Sequence, residues 1–253
     1  MYVIFDLGYL MFYRYHATAR WIAFQKDVQT SPDVVLATCR AHLVSQMDKL
    51  RKRYRGARFV FCKDERHDCV WRKEVYPEYK MNRPSCDPVI SSVSQMVDEV
   101  VAKYGTILRG DRLEADDIAY LLVQKIRAEL PDEPIILVTS DRDYLQMLDT
   151  NIIIIDGRGK EIKGSGDANV DLWTKIIMGD KSDNIPPIYK GCGKKTADVL
   201  ARDADALRAF VEKNGCHEAL ARNELLVRMS KIPQHLVDAC SPIKEFVVCV
   251  HKP

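Results

Sequence analysis

Three short apolar runs in this 253-residue chain each lead into an aspartate: Tyr2 to Phe5 ahead of Asp6, Arg58 to Phe61 shortly before Asp64, and Ile135 to Val138 shortly before Asp141. β-rich runs without polar alternation read as strands buried on both faces, as in a mostly parallel sheet covered by helices. Between the first two runs, Pro32 to Arg53 carries Val35, Leu36, Leu43, Met47 and Leu50 at amphipathic-helix spacing. Open α/β sheets bind ligands beyond the carboxyl ends of their strands, where these three acids would stand. The fold class expected is therefore α/β with a mostly parallel central sheet.

Further helices are expected from about Val93 to Tyr104 and from Ala115 to Leu130, where Ile118, Leu121, Leu122 and Ile126 share a face and Pro131 ends the pattern. Asn151 to Ile155 reads as a fourth strand. Gly157, Gly159, Gly164 and Gly166 then punctuate the chain, placing a soft boundary near residue 165: a core over 1–165, then a helical region over 166–253 whose one candidate strand is Phe246 to Val250. With 47% hydrophobic and 29% charged residues, wholesale disorder is excluded. Eight cysteines without a C-x-x-C pair suit a reduced, intracellular protein, in cytoplasm or nucleoid, or in a host cell for a viral chain. No window approaches the roughly 18 apolar residues of a membrane span. Nothing calls for an oligomer, so a monomer is expected.

Acids cluster in LEADDIA (Glu114, Asp116, Asp117), TSDRDYLQML (Asp141, Asp143) and MGDKSDNIP (Asp180, Asp183). Each has an ordinary reading: dipole partners at a helix start, a strand-to-helix cap, a polar loop. Together with Asp6 and Asp64 they make nine carboxylates, and carboxylates that converge repel one another and take up protons unless a cation neutralises them. An oxygen-only donor set favours Mg²⁺ or Mn²⁺ over Zn²⁺. Two such ions about 4 Å apart suit phosphodiester hydrolysis.

The net charge of +2 gives no general case for a polyanionic partner, so that case rests on local pattern. In KDERHDCVWRKEVYPEYKMNRP, Trp71, Tyr76 and Tyr79 interleave with Arg72, Lys73, Lys80 and Arg83, as a single-strand path of stacking aromatics and phosphate-binding cations would; the alternative is an exposed amphipathic helix followed by a turn at Pro84. KGCGKKTA brings Gly191, Gly193, Lys194 and Lys195 to a helix start without P-loop spacing, suggesting a helix-hairpin-helix-like phosphate clamp over about 172–202. RKRYRGAR, from Arg51 to Arg58, is read as cations opposing a helix dipole.

FDLGYL, WRKEVYPEYKMNRP, LEADDIA, TSDRDYLQML and IMGDKSDNIP with GCGKKTA, in that order, resemble the flap endonuclease and 5′ nuclease family, which includes bacteriophage 5′→3′ exonucleases and the 5′ nuclease domain of bacterial DNA polymerase I. The resemblance implies a PIN-like core, a helical arch over about 63–95 and a helix-three-turn-helix element gripping duplex DNA. It implies Asp6, Asp64, Glu114, Asp116 and Asp141 as one metal group, Asp143, Asp180 and Asp183 as the other, and Asp117 as an additional acid. Asp6, Asp116, Asp141 and Asp143 with Lys80 and Arg83 form the expected catalytic set. Tyr79, Lys80, Arg83, Arg72, Gly191, Gly193, Lys194 and Lys195 are the expected DNA contacts. Cys62 and Lys63 intervene before Asp64, leaving Asp68 as a second candidate ligand; Asp64 is favoured. Pro187 stands where the family commonly has glycine. The implied activity is Mg²⁺-dependent cleavage of DNA with 5′ flaps or free 5′ ends, with Mn²⁺ as substitute, K⁺ at the hairpin and RNA–DNA hybrids as alternative substrates. The rivals are a metal-dependent ribonuclease and a structure-specific DNA-binding protein without catalysis.

Overall fold

The computed structural model describes residues 1–25, 31–65, 69–83 and 88–249. Five strands, β1 (Tyr2–Asp6), β2 (Arg58–Lys63), β3 (Thr106–Arg109), β4 (Ile135–Val138) and β5 (Ile152–Ile155), pair in the order β3-β2-β1-β4-β5, every pair parallel. The chain builds outward from β1 through β2 to β3, then returns past β1 to lay down β4 and β5. The winding direction reverses between β1 and β4, and there a crevice opens beyond the strand ends. Asp6 ends β1, and Asp64 and Asp141 follow β2 and β4.

Both sheet faces are covered, which accounts for the unbroken apolar runs. Val3, Phe5, Phe61 and Val138 point to one side, where α1 (Leu7–Ala23), α2 (Pro32–Arg53) and α4 (Pro88–Val101) pack through Leu10, Leu43, Met47, Val93, Val97 and Val100. Tyr2, Ile4, Val60, Leu137 and Ile154 point to the other, against Ile118, Leu122 and Ile126 of α5 (Ala115–Glu129). Leu236 of α10 (Gln234–Ala239) and Ile243 of α11 (Ser241–Glu245) return to that second face. Of the cations in RKRYRGAR, Arg51, Lys52 and Arg53 fill the last turn of α2.

The remaining helices are α3 (Arg72–Val75), α6 (Ala168–Met178), α7 (Lys194–Arg202), α8 (Ala204–Asn214) and α9 (His217–Val227). α6 and α7 pack together across the connection 179–193, and Ile177, Ile188, Cys192, Ala197 and Leu200 form a small core between them.

β3 is an edge strand whose one buried side chain is Leu108, too weak an apolar signal to stand out. Two expectations need correction. Phe246–Cys249 forms no ladder; Tyr2 pins it instead, its hydroxyl accepting from the Cys249 amide at 2.9 Å, while Val250 lies outside the described residues. Among the described residues of 63–95 there is no free-standing helical arch. That stretch holds the four-residue α3, turns bonded to neighbouring loops, and α4, which lies on the sheet.

Candidate active site

The crevice is a cleft of about 1190 Å³, and eight of the nine predicted acids line it: Asp6, Asp64, Glu114 and Asp116, with Asp141, Asp143, Asp180 and Asp183. Asp6 joins β1 to α1 as its N-cap, accepting from the Tyr9 amide at 2.8 Å and from the Thr139 hydroxyl at 3.3 Å. Gly8 lets the next strand's acid approach, since a Cβ there would stand 2.8 Å from Asp64 Oδ2. Asp64 Oδ1 accepts from the Ala115 amide at 2.8 Å, and Glu114 caps the same helix start. Asp141 caps a 3₁₀ turn, Arg142–Met147, by accepting from the Asp143 amide at 2.9 Å. The other candidate, Asp68, lies outside the described residues.

Asp180 and Asp183 arrive on the turn that ends α6. Gly179 holds φ +72°, where a Cβ would meet the Ile185 carbonyl oxygen at 2.4 Å, and paired amides between Asp180 and Ile185 close the turn at 2.7 and 2.8 Å. Asp143, Asp180 and Asp183 each bring an oxygen within 4.8 Å of the others, a spacing that could hold a metal ion.

The acids differ in how their charge is met. Burial pushes Glu114 up, but Lys80 and Arg72 outweigh it and hold its carboxyl at about 2. Asp180 is likewise held at about 2, because Lys175 and the Ser182 hydroxyl and amide oppose burial. Asp6 is pushed up to about 7, first by burial and then by repulsion from Asp64 and Asp141. Asp143 also reaches about 7, burial and Asp141 prevailing over its ion pair with Lys175. Among the described residues, no protein cation forms an ion pair with Asp6, Asp64 or Asp141, while Glu114 pairs with Arg72 and Lys80, Asp183 with Lys80 and Arg83, and Asp143 and Asp180 with Lys175. Crowded, oxygen-only and partly unneutralised, this donor set fits a hard divalent cation.

Asp117 is the acid that does not line the cleft. Fully buried, it accepts from the Trp71 indole at 3.0 Å, from Arg72 at 2.7 and 2.8 Å and from the Glu114 amide at 3.1 Å. Its neighbours correct two expected DNA contacts. Arg72 is 2% exposed and spends its guanidinium on Glu114, Asp117 and the Leu226 carbonyl, so it cannot meet a phosphate. Tyr79 is also 2% exposed, its ring packed in a core and its hydroxyl donating to Glu114 at 3.0 Å and Asp183 at 3.1 Å, so it cannot stack a base. Trp71 is buried likewise.

Lys80 and Arg83 do face the cleft. Lys80, with a left-handed backbone (φ 56°), pairs with Glu114, and Arg83 donates to Asp183 at 2.8 Å. At the cleft's far wall, Lys194 opens α7 and lines the cleft, Lys195 is exposed beside it, and Gly191 (φ +90°) and Gly193 have open space where a Cβ would be. The residue not anticipated is Lys175, which bridges Asp143 and Asp180 from the last turn of α6; the sole hint in the sequence is a lysine five positions before Asp180.

A family described as 5′-3′ exonuclease, N-terminal resolvase-like domain, matches residues 1–172. The chain is 29% identical over 185 residues to DNA polymerase I of Caldicellulosiruptor bescii, covering 63% of this chain and 21% of the polymerase. It is 29% identical over 179 residues to a ribonuclease H of Enterobacteria phage T4, covering 66% and 56%. It thus spans about a fifth of that polymerase's length and little more than half of the phage protein's. Among solved structures, the T5 5′-exonuclease with bound zinc superposes with a TM-score of 0.72 at 21% identity, over 96% of this chain and 98% of that one. The T5 flap endonuclease in a complex with DNA and metal ions gives 0.69 at 20% identity, over 96% and 97%. At such identity the likeness speaks for the fold.

Proposed function

The chain belongs to the 5′-3′ exonuclease family, and from that premise we propose that it hydrolyses phosphodiester bonds in DNA bearing 5′ flaps or free 5′ ends, leaving a 5′ phosphate and a 3′ hydroxyl. The observation that carries this reading is one cleft lined by eight carboxylates with Lys80 and Arg83 among them. Asp6, Asp64, Glu114, Asp116 and Asp141 would hold one divalent ion, and Asp143, Asp180 and Asp183 another. When bound, Mg²⁺, with Mn²⁺ as substitute, supplies Lewis-acid activation of water and neutralises charge on the leaving oxygen. Lys80 steadies negative charge developing at the phosphate and is no covalent nucleophile. Arg83, half-exposed at the rim, steers the backbone. The start of α7, with Gly191, Gly193, Lys194 and Lys195, offers amides and ammonium groups to a duplex backbone, contacts that position without reading sequence.

The likeness to a protein named ribonuclease H favours a second reading in which the hydrolysed strand is RNA in a hybrid. One panel separates the two: end-labelled 5′-flap DNA, the same flap in RNA, blunt duplex and single strands, each with Mg²⁺, Mn²⁺ or EDTA. Metal-dependent cutting of the DNA flap at its junction is expected. Cutting confined to RNA would transfer the assignment to the second reading, and tight binding without cutting in any metal would reject both.

A further inference from the structure

Whether a strand must be threaded end-first into this cleft depends on what the chain can place over it. The segment 69–83, where a covering arch was expected, is sewn to both walls. The Trp71 amide donates to Arg112 O at 3.0 Å, the Lys80 amide to Asp183 O at 2.9 Å, Asn82 to Lys181 O at 2.8 Å, and Asn184 back to Glu78 O at 2.8 Å. Trp71, Arg72 and Tyr79 fill the space beneath, each at most 2% exposed. This segment is a wall, and no strand passes under it.

Only three residues lie between Glu65 and Cys69, and only four between Arg83 and Pro88. Four residues reach roughly 15 Å fully extended, and a loop that rises over a strand and returns uses its length twice. α4 cannot help, because Val93, Met96, Val97 and Val100 fasten it to the sheet. Nor can the five residues between Gln25 and Ser31, which begin beyond the far end of the 17-residue α1, about 25 Å from Asp6. At the opposite rim, Ser165 is tied to Asp171 at 2.9 Å and Gly157 to the Tyr9 hydroxyl at 2.8 Å.

From this geometry we infer that the cleft is an open trough that accepts a continuous strand from the side, so its substrates include gapped circles, bubbles and flaps whose 5′ ends are blocked. The inference rests on the nuclease reading of the cleft and adds to it that no free 5′ end is needed. The bond cut and its products are unchanged; what changes is how the strand enters.

The test uses the full chain with Mg²⁺ on three DNAs: a 5′ flap with a free end, the same flap carrying 5′ biotin saturated with streptavidin before enzyme is added, and a covalently closed circle annealed to leave a single-stranded bubble. The blocked flap is expected to be cut at its junction within about threefold of the free flap's rate, and the circle to be linearised. A tenfold or greater loss on blocking, with the free flap still cut, overturns side entry and leaves the nuclease reading standing. Failure to cut even the free flap overturns both.

Discussion

Arg72→Met keeps a long side chain under the cleft but removes its charge. In the native chain that guanidinium donates to Glu114 at 2.7 Å, to both oxygens of Asp117 at 2.7 and 2.8 Å and to Leu226 O at 2.9 Å, all out of solvent. Without it, Asp117 retains the Trp71 indole and the Glu114 amide as donors but no counter-charge. Breaking one side of such a buried pair costs about 3–5 kcal/mol, mostly the penalty of the abandoned carboxylate. For a chain of this size each kcal/mol lowers Tm by about 2–4 °C, so a fall of about 6–20 °C is expected in EDTA. Asp117→Asn removes the charge that needs a partner, so adding it to Arg72→Met should recover a substantial part of the loss. A double-mutant cycle by denaturant or thermal unfolding measures this coupling. A loss below about 1 kcal/mol for Arg72→Met, or strictly additive single effects, would refute the reading of Arg72 as the buried counter-charge of the α5 start.

Asp6 and Asp143 titrate near 7 in the folded chain against an ordinary 3.8, so the native state binds more protons across that window. Metal-free stability should therefore be greatest on the acid side and fall as pH rises through about 7, by at most about 4 kcal/mol per group. Unfolding in EDTA from pH 5 to 8.5 checks this; stability that climbs with pH over that range contradicts it, and Mg²⁺ should stabilise most at the alkaline end. Asp141→Ala or Asp183→Ala should abolish cleavage while DNA binding, followed by gel shift, stays measurable; turnover retained in both would count against the metal assignment. Lys80→Ala should slow single-turnover cleavage by about 10²-fold or more with a smaller change in DNA affinity. An effect confined to affinity would reject its role at the phosphate.

Local pattern made the sheet legible where burial was complete. The runs before Asp6, Asp64 and Asp141 are strands packed on both faces, and α2 and α5 follow their 3.6-residue spacing, whereas β3 escaped notice because one buried leucine in four residues makes no pattern. The acids were legible for a related reason: a carboxylate at a strand end or helix start declares itself by its position in the chain. Their cations do not. Arg72 and Tyr79 alternate with charge as residues of an exposed groove would, and only acids 35 to 45 positions further on, brought beneath them by the fold, turn the same residues into a buried network. Lys175, in the last turn of α6, reads as an ordinary dipole partner until the Gly179 turn folds Asp180 back onto it. The result is an uneven distribution of charge. Protein cations form ion pairs with the acids carried on α5 and on the α6–α7 connection, while Asp6, Asp64 and Asp141, at the point where the sheet reverses, form none among the described residues, Lys80 and Arg83 acting on Asp64 and Lys175 on Asp141 only from farther off. The fold leaves that demand for positive charge at the sheet's reversal, and on the nuclease reading proposed above that is where a divalent ion would contribute most to both stability and hydrolysis.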